Sequence, residues 1–527
     1  MTQGTLYYKY EEEKKNFGST ALAGALIFLD LLKKMDFENM VDNNLSAKKG
    51  KQGWSDYCFL VSIILLNLCG GDCVNDIHGL EGDSGLRRLF KKLGFKNAFS
   101  GSGSIGKGHK RRRKKTGQQK SNGVGDGNTF PSPTSIFRYL DLFYNESEEE
   151  RRVSNKAFIP SSNENLLGLS RINKDMLKFL QLNKPEKIAT IDMDATIIRS
   201  QKRQAQFSYK KYKSYQPLNA YWSEQAFILH TEFRDGNVPA GFQQKRVFSE
   251  ALSYLPSGVE KVYLRSDTAG YQHELLKYCE QGENERFGRI EFAIGCDVTG
   301  EFKREVFKVC ESEWHPIYRY SEVTGKKEET GQEWAEIPFV PNAICHSKKG
   351  PCYRYIGIRE AFVQRQSESS DMELQGSLPF PTMKLNNKSY KIFGLVTNMN
   401  WEGEELVHWS RKRCGYSEHV HSEMKEALCG GQLPSGKFGC NAAWWEIMIL
   451  SLNLASMMKS LGLPDKHLGI GLNSRMKKVR FCLINIPGRV ILEGKELIVR
   501  LTRDHPKMEL LIRIRMQIKL LEAIASG

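Results

Sequence analysis

The sequence predicts an α/β protein in which a mixed sheet follows a helical N-terminal region. Apolar residues recur at helical spacing from Ser19 to about Phe95. From Lys187 the pattern changes to short apolar runs separated by helical stretches, which is typical of strands and helices that build one sheet. Residues 298–390 are rich in turns and strand-like pieces, and they are too many for a loop. We therefore also expect an inserted β-rich subdomain.

Size, charge and cysteine content limit the classes of protein to which the chain can belong. A chain of 527 residues is too long for one core and should hold about two to four domains. The formal charge of +16 favours a polyanion as partner, although a merely basic soluble protein explains the charge alone equally well. The twelve cysteines include no CxxC pair, which indicates reduced thiols. Without a signal-peptide pattern or a long apolar stretch, we expect a cytoplasmic protein with no membrane contact.

Seven segments follow one another along the chain. We predict a helical N-terminal region (1–100), a basic Gly/Ser-rich linker (101–130), a helical connector (131–185), the first half of the sheet core (186–297), the β-rich insertion (298–390), the second half of the core with a long helix (391–465), and a C-terminal hairpin and helix (466–527). The linker contains Lys107–Lys115, in which seven of nine residues are basic. This run is either a solvated tether or a DNA contact through Arg111, Arg112 and Arg113.

The predicted core strands are recognised by apolar runs bounded by polar residues. They are KIATIDMDATII, YQPLNAYW, QAFILHTEF, GVEKVYLRSD, RIEFAIG and, after the insertion, FGLVTNM. Long helices should then cover Trp401–Leu428 and Asn441–Leu461. The stretch GRVILEGKELIVRL reads as a hairpin with its turn near Glu493-Gly494, before a basic last helix.

Two aspartates lie on the first core strand, in Ile191-Asp192-Met193-Asp194. Side chains two apart on a strand point to the same face, so both carboxylates should share one side of the sheet. Two such charges on an apolar strand are costly unless a cation lies between them. A metal site therefore explains the pair better than a solvated strand end does.

A third aspartate, Asp267, ends the fourth strand in LRSD just before a predicted helix. The carboxyl ends of strands are where α/β sheets place their functional sites. On local grounds alone, Asp267 is equally well explained as a cap of the following helix.

The helix that contains GYSEHVHSEMKE supplies a further carboxylate. Glu418 and Lys425 are seven residues apart and so lie nearly in line on one helix face. Such a face can offer one metal ligand and one phosphate contact. Taken alone, a solvated helix face is the better explanation.

The whole set resembles the DDE triad of bacterial insertion-sequence transposases, and in particular the transposase DDE domain group 1 family. LRSDTAG follows Asp194 by 73 residues, and an E-x6-K helix follows Asp267 by 151. The resemblance covers most of Gly53–Leu461 through these further motifs: GWSD at Gly53, GGDCVNDI at Gly70, PSPT at Pro131, YQPL at Tyr215, RDGN at Arg234, RCGYSEHVH at Arg413 and GGQLPSGKFGCNAAWW at Gly430.

The resemblance implies an RNase H-like catalytic core with a β-rich insertion between the second Asp and the Glu. It implies Mg²⁺, or Mn²⁺ in its place, held by Asp194, Asp267 and Glu418. Asp192 is a candidate to share the metal or to orient the site. The superfamily favours an arginine four residues before the Glu, a position that Cys414 occupies here, and Arg413 is the residue beside it. We therefore expect DNA contacts from Lys425, Arg413 and Arg265.

The expected function is transposition of DNA. The chain would cut double-stranded DNA at the terminal inverted repeats of an insertion sequence and join the ends to target DNA, as a homodimer in the bacterial cytoplasm, at the nucleoid. Two alternatives stay open: a nuclease of the same fold that cuts without strand transfer, and a transposase-derived DNA-binding regulator.

Overall fold

The computed structural model describes residues 11, 17–50, 53–94, 128–153, 156–320, 325–341, 353–362, 381–385, 388–463, 469–494 and 496–523. The basic run with Arg111, Arg112 and Arg113 lies outside these residues. The described residues form two units: one from 1–145, 162–172 and 423–527, the other from 146–161 and 173–422.

Helices occur throughout the described chain. They are α1 (Leu26–Lys34), α2 (Phe37–Asn44), α3 (Asp56–Cys69), α4 (Ile77–Gly82), α5 (Ser84–Lys92), α6 (Pro133–Leu140), α7 (Glu146–Glu150), α8 (Glu164–Asn183), α9 (Gln244–Tyr254), α10 (His273–Glu280), α11 (Gly300–Lys308), α12 (Gly403–Ser422), α13 (Phe438–Met457), α14 (Met476–Val479) and α15 (Met508–Leu520).

The strands of the described residues belong to three sheets. They are β1 (Ser19–Thr20), β2 (Ile188–Ala195), β3 (Ile198–Arg199), β4 (Gln206–Phe207), β5 (Lys213–Tyr215), β6 (Leu218–Trp222), β7 (Phe227–Glu232), β8 (Lys261–Ser266), β9 (Glu291–Cys296), β10 (His315–Tyr320), β11 (Lys327–Glu336), β12 (Arg354–Phe362), β13 (Thr382–Leu385), β14 (Lys388–Thr397), β15 (Gly488–Glu493) and β16 (Glu496–Arg500).

The first unit joins the two ends of the described chain. Helix α3 begins at its cap Ser55 and is apolar on all sides, so it lies in the centre, where Asn67 donates to Ser451 of α13 at 3.1 Å. The predicted C-terminal hairpin is confirmed as β15 and β16, and β15 also pairs with β1. The hairpin therefore lies in the same unit as the N-terminal helices.

Among the described residues, no single helix is both long and apolar enough to cross a bilayer. One pair of helical segments, Asp56–Cys69 with Val74–Gly82, reaches that length and composition only together, and it is bent by 96°.

Within the described residues, the second unit is built on a ten-stranded sheet in which β2 is the third strand from the β7 end. The strand order is β10-β11-β12-β14-β9-β8-β2-β6-β7, with β13 beside β14. Strand β2 runs parallel to β8 and antiparallel to β6, and β8 runs parallel to β9. All six predicted core strands are confirmed. The apolar run of β2 is explained by its burial on both sides.

The predicted insertion is rich in strands but does not form a subdomain of its own. Strand β14 pairs with β9 on one side and with β12 on the other, so β12, β11 and β10 continue the main sheet. The expectation of a separate subdomain was wrong because the backbone edge of β14 is satisfied by the inserted strands themselves.

Helix α12 packs across this sheet and positions the site. Its buried Leu406 and Val407 contact a core that includes Ala293 and Leu395 of the sheet. The helix ends at Ser422, where a π-helical segment, Glu423–Ala427, follows. The long helix predicted to reach Leu428 therefore changes its winding before its end.

Candidate active site

Two aspartates come together at the carboxyl ends of adjacent parallel strands. Met193 of β2 is paired with Ser266 of β8, so Asp194 and Asp267 each follow one residue later on neighbouring strands. Both side chains are partly buried. Burial raises the pKa of Asp267, and the negative charge of Asp194 raises it further. The two carboxylates therefore repel each other, and a cation between them would relieve that repulsion.

Arg413 of helix α12 supplies positive charge at this position. Its Nη1 donates to Oδ2 of Asp194 at 2.7 Å, with the two side chains 12% and 20% exposed. Burial lowers the pKa of Arg413, but the charges of Asp194 and Asp267 outweigh it and the pKa is raised. The DNA contact predicted for Arg413 does not fit this placement, because its guanidinium is engaged by a catalytic candidate.

Asp192 faces the same side of the sheet but is used differently. Arg265 donates from Nε to Oδ1 of Asp192 at 2.6 Å and from Nη2 to Oδ2 at 2.8 Å. Both side chains are 3% exposed. Asp192 as a metal ligand and Arg265 as a DNA contact are therefore corrected: each is the ion-pair partner of the other, out of reach of solvent.

The same arginine ties helix α12 to the sheet. Arg265 donates from Nη1 to the carbonyl oxygen of Trp409 at 2.9 Å, and its guanidinium lies 5.0 Å from the centroid of the Trp409 ring. Sequence reasoning missed this pair, although a signal existed. Asp192 and Arg265 each lie two residues before a candidate catalytic aspartate, so opposite charges occupy equivalent positions on the two strands.

The capping role considered for Asp267 is also present. Its Oδ1 accepts a hydrogen bond from the backbone N–H of Ala269 at 3.0 Å, at the start of the turn Thr268–Gly270. This bond fixes the direction of the carboxylate, so capping and metal binding by the other oxygen are compatible.

The predicted helix residues are found on α12 and on the segment that follows it. Glu418 is exposed on α12, about 140° round the helix from Arg413, which faces Asp194. Lys425 lies in the π-helical segment and belongs to the first unit. Glu423 is buried and accepts a hydrogen bond from the backbone N–H of Met476 at 2.6 Å. We therefore expect a substitution of Glu423 to destabilise the first unit.

The donor set suits a divalent cation in part. Mg²⁺ keeps several waters and needs only one or two protein carboxylates, which Asp194 and Asp267 can provide. Within the described part of the chain, no three His, Cys, Asp or Glu side chains are grouped as a metal set. The structure thus brings Asp194 and Asp267 together, and Glu418 stays a prediction as the third ligand.

Comparison with known proteins agrees with the motifs. The family described as transposase DDE domain group 1 matches residues 18–523. A cryo-EM structure of the piggyBac transposase synaptic complex with hairpin DNA aligns over 82% of this chain and 81% of its own, at 12% identity and a TM-score of 0.35. At this TM-score and identity, the similarity to that structure supports no conclusion about this chain. A comparison with curated proteins found no match. Because the family match spans nearly the whole chain, the chain belongs to the transposase DDE domain group 1 family.

Proposed function

We propose that the protein is an active DNA transposase that cleaves double-stranded DNA at insertion-sequence ends and transfers the freed 3′ ends to target DNA. The observation that carries the proposal is the pair Asp194 and Asp267 at the ends of adjacent parallel strands, within a chain of a transposase family. The strand order β7-β6-β2-β8-β9, in which β6 runs antiparallel to the other four strands, supports an RNase H-like core.

Asp194 and Asp267 would hold Mg²⁺, or Mn²⁺ in its place, with Glu418 as the third ligand. When bound, the cations activate the attacking oxygen and stabilise the leaving oxygen at the scissile phosphate. Asp267 is oriented for this by its hydrogen bond from Ala269. Arg413 would balance the negative charge of Asp194 at this site, through the ion pair that joins them.

The remaining parts follow from the reaction. An element has two ends, so a homodimer that bridges them is the expected working form, in the bacterial cytoplasm at the nucleoid. Further proposed DNA contacts are Lys425, the helical N-terminal region and the basic run with Arg111, Arg112 and Arg113.

A cleavage and strand-transfer assay tests the proposal. The DNA that flanks the reading frame is used as labelled duplex, with a plasmid as target. Mg²⁺-dependent nicking followed by joined product is expected from the wild type, and neither from Asp267→Asn. Nicking without joined product would show a nuclease, and binding without nicking would show a regulator; either result overturns the proposal.

A further inference from the structure

A small basic sheet of the second unit follows Asp194 closely in the sequence. It consists of β3, β5 and β4, in that order. Between Ala195 and Ser223 the sequence contains six basic residues and no Asp or Glu. These basic residues are Arg199, Lys202, Arg203, Lys210, Lys211 and Lys213. The segment is therefore the source of a local positive potential.

The position of this sheet follows from its connections. Strand β3 begins four residues after Asp194, and β5 leads through Gln216 and Pro217 into β6, where Asn219 is paired with Asp194. The basic sheet thus continues the β2–β6 pair beyond its Asp194 end. Four residues of chain reach at most about 14 Å, so β3 starts within about four nucleotide steps of that carboxylate.

The base of the sheet is held rigidly. Arg152 donates from Nη2 to Asp235 at 2.7 Å, and the same nitrogen donates to the carbonyl oxygen of Gln204 at 3.1 Å. The Tyr215 ring stacks on Phe233 with centroids 5.0 Å apart. A surface anchored in this way loses little entropy when a ligand binds.

The outer surface offers charge and aromatic rings together. None of the six basic side chains forms an ion pair with a carboxylate of the described residues. The rings of Phe207 and Tyr209 are 61% and 73% exposed, which is unusual for aromatic side chains. Lys213 lies over the Phe207 ring and Lys210 over the Tyr209 ring, each 5.8 Å from its centroid. Cations interleaved with exposed rings are typical of surfaces that bind single-stranded nucleic acid.

We propose that the basic sheet β3–β5–β4 binds the DNA that adjoins the scissile phosphate. The six cations contact its phosphates, and Phe207 or Tyr209 stacks on a base left unpaired at the end. This inference rests on the proposed function for the place of cleavage, but not for binding itself. An acidic protein partner would satisfy the charges and leave the rings unexplained, so DNA is the better occupant.

Binding is measured by fluorescence anisotropy in EDTA, on a mixed-sequence duplex and on the same duplex with a single-stranded extension. The test variant carries Arg203→Gln, Lys210→Gln and Lys211→Gln. A control of equal charge carries Lys178→Gln, Lys187→Gln and Lys308→Gln, three exposed lysines of the same unit that are paired with acids.

The slope of log K against log salt reports phosphate contacts. Loss of three contacts should flatten the slope by about 2 to 3 in the test variant, and the control should keep the wild-type slope. Equal slopes in the two variants would overturn the proposal.

The rings are tested by the double variant Phe207→Ala with Tyr209→Ala. One lost base stack should weaken binding of the extended duplex by at least about fivefold and leave the blunt duplex near its wild-type affinity. Equal losses on both probes would overturn the assignment of the rings. A failure of the proposed function can be distinguished from a failure of this binding proposal, because it would appear as wild-type protein that does not nick DNA with Mg²⁺.

Discussion

Replacing Asp192 by alanine removes one half of a buried ion pair and leaves the other half in place. Arg265 would keep its full charge at 3% exposure with no carboxylate to receive two of its donors. Its remaining bonds, to the carbonyl oxygen of Trp409 and the hydroxyl of Ser223, do not neutralise that charge. We therefore expect a large loss of stability.

The magnitude follows from the burial of both groups. Removing one partner of a buried, hydrogen-bonded ion pair costs about 3–5 kcal/mol. For a unit of this size that corresponds to a fall in Tm of about 6–20 °C. Glu260→Ala is the matched control, because Glu260 and Lys187 form a pair at 2.9 Å whose side chains are 65% and 74% exposed. An exposed pair of this kind is worth at most about 1 kcal/mol.

The assay is urea unfolding of the full chain, followed by circular dichroism. The double variant Asp192→Leu with Arg265→Met removes both charges, so it should recover most of the stability that Asp192→Ala loses. Calorimetric titration with Mn²⁺ then distinguishes a structural role of Asp192 from a role as metal ligand. If Asp192→Ala keeps wild-type stability and loses Mn²⁺ binding, Asp192 is a metal ligand and the assignment made from the ion pair is wrong.

Three further substitutions test the site and the fold. Asp267→Asn should abolish Mg²⁺-dependent nicking. Without metal it should also raise the free energy of unfolding at pH 7, because the pKa of Asp267 is higher in the folded chain than in the unfolded chain and its ionised form therefore destabilises the fold. A lower urea midpoint than that of the wild type would contradict this. Glu418→Cys should lose nicking with Mg²⁺ and regain part of it with Mn²⁺. Its urea midpoint should stay at the wild-type value because the side chain of Glu418 is exposed, whereas Glu423→Ala should unfold at lower urea. Full Mg²⁺ activity of Glu418→Cys would exclude Glu418 as a ligand. Burial raises the pKa of Glu446 to about 8, so the folded chain keeps a proton that the unfolded chain releases and wild-type stability falls as pH rises from about 5 to 8. Glu446→Gln should remove this fall, and parallel pH profiles for the two proteins would refute it.

The core strands and the place of two catalytic candidates could be predicted from the sequence. The apolar runs of β2 and β8 are local signals, and an aspartate after such a run falls at the carboxyl end of a strand in most arrangements of the sheet. The family motifs are likewise short and ordered, so they are recognisable without knowledge of neighbours in space. Asp194 and Asp267 were predicted for these reasons.

The partners of charged residues could not be predicted in the same way. Asp192 and Asp194 are chemically alike and two residues apart, yet one is neutralised by Arg265 and the other by Arg413. The difference depends on which strand lies beside β2 and in which register, and on where α12 crosses the sheet. None of these is a property of the local sequence.

The sequence by itself determined the family, the class of fold, the strands and the aspartates at their ends, because each depends on residues that are near one another in the chain. Only the tertiary structure decided that the inserted strands continue the main sheet, that the C-terminal hairpin pairs with β1, and that Glu418 is exposed while Arg413 faces Asp194. Those outcomes depend on strand pairing and helix rotation between segments far apart in sequence, where many arrangements satisfy the same local pattern and packing selects one of them.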